Sequence, residues 1–357
     1  MSDCMKRRLL FASSEAYYPE MEVHRRTVGW VSRPIVVSRE VEYWHRPIDQ
    51  ALVGEVREGI VVAFRGSLPP FYGGDHDGWS VLLDWMNDGL ALCVADRDYA
   101  GAGVHMGFAE SVRRLWDDHN GQPGIRAAIQ ALLDRGARRH LFLTGHSKGG
   151  ALANLAAYRA ARYAGWRDMP VSVATFAAAR AGDRAFATAY SRERIACLRY
   201  ELDSDPVPHL PPGPQTPPVV RQLARTVWPR LRTGDYHPVG ERVGGDFPRA
   251  SWPRVLAGHL VDLARMRDVK LSAFTPTAVA AHAICPGSGY DRLVCVGEPD
   301  CGHGKRVPGG AKPPLRHERA GTRGEGARTD PRRARRDQRQ RNGVFGTARG
   351  DVRQPVG

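Results

Sequence analysis

The sequence predicts an α/β domain built on a mostly parallel sheet, and three observations predict it. Short apolar runs of the buried-strand kind recur at residues 59–64, 140–144, 171–176 and 195–202. Segments of helical spacing fall between them, at residues 107–119, 125–133 and 151–163. The strict alternation of the two kinds over residues 55–205 is the pattern of strands joined by crossover helices. Composition agrees: 357 residues with 42% hydrophobic and 25% charged side chains are enough for one large packed domain or two small ones. The same figures exclude a collagen-like chain, wholesale disorder and a disulfide scaffold.

Each element has its own reason. Gly59-Ile60-Val61-Val62-Ala63-Phe64 is continuous and apolar, as a strand covered on both faces must be. It ends at Arg65-Gly66-Ser67, and Leu68 to Gly78 is a Pro/Gly-rich loop. Residues 79–90 read as amphipathic and partly helical. In the next helix Phe108, Val112, Leu115 and Trp116 recur at helical spacing. Residues 151–163, mostly Ala, Leu and Arg, form the strongest helix by propensity. After Asp205 the chain turns Pro-rich, then regains a helical pattern over 255–266.

The N-terminal and cysteine patterns set an expectation for the compartment. Lys6-Arg7-Arg8 is followed only by Leu9-Leu10-Phe11-Ala12, shorter than the roughly 7–15 apolar residues of a secretory core. No apolar run approaches the ~20 residues of a membrane span. Cysteines stand at 4, 93, 197, 285, 295 and 301, with no CxxC pair. The spacing of Cys285, Cys295, Cys301 and His303 matches no zinc module, and the three cysteines read as free thiols. A reducing, cytoplasmic setting is the expectation.

The chemistry concentrates in Leu141-Phe142-Leu143-Thr144-Gly145-His146-Ser147-Lys148-Gly149-Gly150. A buried strand runs into Gly-x-Ser-x-Gly and a helix follows at once, which is the context a nucleophile elbow requires. Small neighbours let strand and helix approach, and the serine hydroxyl projects at a helix N-terminus, where free N–H groups favour negative charge. Ser147 is the candidate nucleophile. A serine needs a base and an acidic orienter. Asp203 and Asp205 stand at the end of the 195–202 strand, where site residues of parallel sheets collect. Downstream, His209, His237 and His259 are the histidines in contention, with Gly258-His259 at the start of a helical pattern.

With these residues in place, the chain resembles the class 3 lipases. Phe64-Arg65-Gly66-Ser67, Val104-His105-Met106-Gly107-Phe108, the elbow Gly145–Gly149, Thr175–Asp183 and Asp205-Pro206-Val207-Pro208 match that family's motifs in order. The similarity covers roughly residues 40–266 and implies an α/β-hydrolase fold. It also implies roles. Asp205 is selected over Asp203. His259 falls where the family's histidine stands, with His237 in reserve. The oxyanion donors are the backbone N–H and hydroxyl of Ser67 and the backbone N–H of Lys148. Ala177 and Ala179 depart from the family's usual Gly and Pro, and Leu260 from the serine that follows its histidine.

The activity implied is hydrolysis of carboxylic esters, most specifically acylglycerols or other lipid esters, through an acyl-enzyme. That chemistry asks for no metal and no organic cofactor. Trp79, Val81, Leu82, Leu83, Trp85 and Met86 form an apolar cluster beside the oxyanion segment, a lid by analogy, or equally plain core packing. Contact with a lipid–water interface would follow from a lid. Alternatives on the same scaffold are a phospholipase, a thioesterase or an acyltransferase.

The chain is expected to divide into an N-terminal segment (1–40), the hydrolase domain (41–270), an extension (271–302) and a basic tail (303–357). The formal charge of +14 belongs mostly to that tail, where fifteen Lys+Arg stand against five Asp+Glu, leaving +4 for residues 1–302. Arg332-Arg333-Ala334-Arg335-Arg336 cannot bury enough apolar surface to offset its ordering entropy, so the tail reads as disordered. The charge therefore does not argue for a nucleic-acid-binding fold. A tail holding the protein at an anionic surface is one partner reading, and a non-catalytic anion- or membrane-binding protein is the remaining alternative. The sequence does not indicate an oligomeric state.

Overall fold

A computed structural model of the chain describes residues 1–19, 25–40, 47–67, 92–216, 218, 221, 235–244, 282–284 and 289–295. They lie within one compact unit, Met1–Lys305; a second, Arg306–Gly357, falls outside the described residues. The basic-tail expectation falls there too.

The strands are β1 (Ile35–Glu40), β2 (Pro47–Val56), β3 (Gly59–Phe64), β4 (Cys93–Ala95), β5 (Gly103–His105), β6 (Leu141–His146), β7 (Val171–Phe176), β8 (Gly182–Asp183), β9 (Ile195–Glu201), β10 (Tyr236–His237) and β11 (Glu241–Gly244). The helices are α1 (Asp3–Glu15), α2 (Arg25–Val28), α3 (Met106–Trp116), α4 (Ile125–Asp134), α5 (Lys148–Arg162), α6 (Arg184–Arg192) and α7 (Gly289–Cys295). The main sheet has the order β1-β2-β3-β6-β7-β9-β11. Its β1-β2-β3 end is antiparallel, and from β3 onward every neighbouring pair is parallel. A smaller antiparallel sheet, β10-β8-β5-β4, accompanies it. This is the mostly parallel α/β-hydrolase architecture that the sequence predicts.

The central strands read as unbroken apolar runs because both faces are covered. Ile60, Val62 and Phe64 of β3 join the core beneath α3, α4 and α5, together with Leu141 and Leu143 of β6. The alternate residues Val61, Ala63 and Phe142 face the other way, onto Leu9, Leu10 and Ala12 of α1. One helix, α1, thus supplies much of that second layer. Its start is marked by Ser2, whose hydroxyl accepts from the Met5 amide.

Expected and observed elements agree closely where both exist. The helix expected from 151 begins three residues earlier, at Lys148, directly after Ser147. Gly149 and Gly150 are weak helix formers and mask that start in a propensity reading. They are there for space: a Cβ on Gly149 would fall 2.3 Å from the Phe64 carbonyl oxygen, and one on Gly145 2.2 Å from that of Gly149. Residues 79–90 and 255–266 lie outside the described residues.

Candidate active site

Parallel register brings two candidate residues to neighbouring strand ends. Phe64 of β3 pairs with Gly145 of β6, so Ser67 and Ser147 follow from adjacent strands on the same sheet edge. Ser147 sits between β6 and α5 with φ 59° and ψ −129°, outside the ordinary regions for a residue with a side chain. Such a conformation costs roughly 1–3 kcal/mol and persists only where its surroundings fix it. Here the Ser147 amide donates to the Phe176 carbonyl at 3.0 Å, and its carbonyl accepts from Gly150 at 3.0 Å. Ser147 is buried, and Ser67 is half-buried.

Lys148, the first residue of α5, turns its side chain inward. Its Nζ lies 2.8 Å from Asp49 Oδ1 on β2, and Arg114 of α3 reaches the other carboxylate oxygen at 2.5 and 2.9 Å. Burial alone would raise the Asp49 pKa, but Lys148 and Arg114 outweigh it and hold the carboxylate at about 2. Burial pulls the Lys148 ammonium below its usual range, against the attraction of Asp49.

Asp205 is fully buried just beyond β9. Its Oδ1 accepts from the Val207 amide at 2.9 Å. Its Oδ2 meets His282 Nδ1 at 2.8 Å and the Tyr290 hydroxyl at 2.7 Å. Burial, and then the Asp205 charge, push the Tyr290 pKa well above its usual value, so the hydroxyl keeps its proton and donates. Asp203, the other aspartate in contention, pairs instead with Arg242.

The histidine on Asp205 is therefore His282, in the place the sequence reading gave to His259. His259 lies outside the described residues. His237 is part of β10 in the small sheet, with Nδ1 2.8 Å from the Asp235 carbonyl. His209 closes a short 3-10 turn after Asp205, and burial lowers its pKa to about 4. His282 escapes a sequence reading because it stands 77 residues beyond Asp205, past the end of the recognisable helical pattern. The one local signal is an imidazole set among small apolar residues, Ala280-Ala281-His282-Ala283. Tyr290 carries no motif at all. The apolar cluster Trp79, Val81, Leu82, Leu83, Trp85 and Met86 lies outside the described residues.

The loop that bears Asp205 is tied down by Arg180. Its Nε donates to the Pro208 carbonyl at 3.3 Å, and its Nη1 to Thr216 Oγ1 at 2.8 Å and the Tyr236 carbonyl at 3.3 Å. Ala177, at the position where the family carries glycine, adopts φ 52°, so the turn keeps a glycine-like shape despite the alanine.

Residues 61–214 match the model of the family described as Lipase (class 3). The chain is 31% identical over 159 residues to a secreted mono- and diacylglycerol lipase of Fusarium solani, covering 44% of this chain and 40% of that protein. It is 34% identical over 193 residues to a lipase of Caenorhabditis elegans, covering 52% of this chain and 48% of that one. The chain thus spans less than half the length of either relative. Among solved structures it is similar to the Rhizomucor miehei lipase propeptide complex, with a TM-score of 0.47 and 21% identity over 67% of each chain. The cytoplasmic expectation does not stand: the Fusarium relative is a secreted protein. Cys4 is moreover disulfide-bonded, and Cys93 and Cys197 are the free thiols among the described residues. Such a bond is rare where cytosolic thiols keep cysteines reduced. From the middle of β3 to the loop beyond Asp205, residues 61–214 match the class 3 lipase family, as the sequence resemblance implies.

Proposed function

We propose that the protein is a serine hydrolase of carboxylic esters, acting outside the cytoplasm on acylglycerols or related lipid esters. Ser147 is the nucleophile, His282 the base and Asp205 its orienter. The observation that carries this reading is the buried Asp205–His282 pair at 2.8 Å, tied through the His282 carbonyl to His146, the residue before the strained Ser147.

The carboxylate fixes the imidazole tautomer. Nδ1 carries the proton that Asp205 accepts, which leaves Nε2 as the basic nitrogen. That nitrogen takes the Ser147 proton as the hydroxyl oxygen attacks the ester carbonyl, and Asp205 stabilises the imidazolium that forms. The tetrahedral oxyanion is held by the Lys148 amide at the start of α5 and by Ser67, and loss of one such donor costs about 10²–10³-fold in rate. The alcohol leaves with the proton from His282. Water then hydrolyses the acyl-enzyme with His282 as base. The acylglycerol assignment rests on the family segment and on the relatives named above.

Labelling by a fluorophosphonate tests the nucleophile: Ser147→Ala is expected to abolish labelling and hydrolysis together. His282→Ala is expected to lower kcat by about 10³-fold or more, while His259→Ala stays near wild type. Loss of activity in His259→Ala alone would overturn the base assignment. Esters of increasing acyl length, assayed above and below their solubility limit, test the lipid reading.

A further inference from the structure

Two side chains beside the site, the buried His146 and the half-buried Tyr17, take no part in the reaction as written. Tyr17 follows α1, and His146 is the last residue of β6. His146 Nε2 lies 2.7 Å from the backbone carbonyl oxygen of His282. A carbonyl only accepts, so Nε2 carries the proton. Burial, reinforced by the neighbouring His282, holds the His146 pKa well below its usual value. The ring is neutral and Nδ1 is a bare acceptor. The Tyr17 hydroxyl, 2.9 Å away, therefore donates to it. Burial raises the Tyr17 pKa, so that hydroxyl stays protonated.

The Tyr17 oxygen also lies against the backbone of Gly66. The approach is so close that a Cβ on Gly66 would fall 2.0 Å from it. A glycine is thus needed at 66 to admit the tyrosine. Both bonds now have a direction: Tyr17 O–H to His146 Nδ1, His146 Nε2–H to the His282 carbonyl. Gly66 precedes Ser67, His146 precedes Ser147, and His282 pairs with Asp205. The two bonds and the close contact of Tyr17 with Gly66 therefore join the oxyanion segment, the nucleophile turn and the base, three pieces far apart in sequence. Tyr17 and His282 both lie outside the matched family segment 61–214.

We propose that Tyr17 and His146 are positioning residues, a directed hydrogen-bond relay that sets the oxyanion segment, the nucleophile and the base in one register. The proposal rests on the assignment of Ser147 and His282 above. A displacement of about 1 Å in such a constellation costs up to ~10²-fold in rate, so the relay acts on kcat with little effect on substrate affinity.

The test is steady-state hydrolysis of p-nitrophenyl butyrate by the full chain, with the rate of fluorophosphonate labelling and the thermal midpoint measured alongside. Tyr17→Phe keeps the ring and removes the hydroxyl; it is expected to lower kcat about tenfold, with KM within about twofold. His146→Leu is expected to lose about 30-fold, and His146→Gln, with an amide donor at the end of its side chain, to recover most of that loss. If the two residues act through one relay, the double variant Tyr17→Phe/His146→Leu is no worse than His146→Leu alone. Wild-type kcat in Tyr17→Phe, losses that multiply in the double variant, or a Gln variant no better than Leu would each overturn the relay. Should His146→Leu not fold, Tyr17→Phe and His146→Gln decide the matter. A wild-type chain that is neither labelled nor active would overturn the assignment of Ser147, and the relay's role with it. A labelled, active wild type with an unaffected Tyr17→Phe overturns the relay alone.

Discussion

Tyr290 and His282 share a single oxygen of Asp205, one donating from a hydroxyl at 2.7 Å and the other from Nδ1 at 2.8 Å. The tyrosine also accepts from the Leu202 amide at 3.3 Å, so the strand end, the carboxylate and the histidine are fixed together. An acid placed to steady an imidazolium works only if it cannot swing, and Tyr290 with the Val207 amide holds both of its oxygens.

Removing the hydroxyl of Tyr290 should therefore loosen the orienter without unfolding the protein. Tyr290→Phe is expected to lower kcat about tenfold, in line with the ~1.5–3 kcal/mol of a hydrogen bond to a charged group. Steady-state kinetics on a soluble ester checks this, and an unchanged kcat would remove Tyr290 from the site.

The Lys148–Asp49–Arg114 cluster predicts a pH dependence of stability. Asp49 is held at about 2 in the folded chain against the 3.8 of an ordinary aspartate. A carboxylate lowered in the folded state contributes stability above its unfolded pKa and loses it as pH falls towards the folded one. Urea unfolding should therefore weaken by about 2 kcal/mol between about pH 4 and pH 2 on account of this group, at 1.36 kcal/mol per pKa unit. Asp49→Asn should flatten that part of the profile while lowering stability at pH 7, because Lys148 is then left buried without its counter-charge.

Gly149→Ala places a methyl group 2.3 Å from the Phe64 carbonyl oxygen. Backbone cannot step aside as a side chain can, so overpacking of about 1–3 kcal/mol exceeds the ~1 kcal/mol gained in helix propensity. A lowered thermal midpoint together with a lowered kcat is expected, since α5 and the Lys148 amide must shift. The same change at Gly136, where nothing lies within 4 Å of the added carbon, serves as the comparison, although its φ of 93° brings a backbone cost of its own.

Arg180→Lys keeps a positive charge but cannot make three planar contacts at once. The loop from Pro208 to Thr216 loses its tie to Tyr236, and Asp205 stands at the root of that loop. A drop in kcat with stability lowered by about 2 kcal/mol is expected, measured by kinetics and urea unfolding of the same preparation.

How much of this was legible in the sequence depends on where each residue's partners lie. The central strands and helices announce themselves because their apolar spacing follows from burial on two faces. Ser147 announces itself because its glycines are dictated by contacts as close as 2.2 Å within the elbow's own strand and helix. Asp205 stands at a strand end, but choosing it over Asp203 needed the family pattern, since Arg242 draws Asp203 away only in three dimensions. His282, Tyr290 and Tyr17 left no comparable trace. Each is defined by one bond across a long stretch of chain, and no periodicity encodes a contact of that kind. The strands β1, β2 and β11 were likewise silent, being short or mixed in polarity. The compartment was misjudged because Cys4 alone, without its disulfide, looks like any free thiol.

The separation of 77 residues between Asp205 and His282 also orders events in time. A ribosome delivers Ser67 and Ser147 well before it delivers the imidazole of His282. Under the proposed roles, the serine is made before the imidazole that would activate it, and hydrolysis waits until His282 has docked on Asp205.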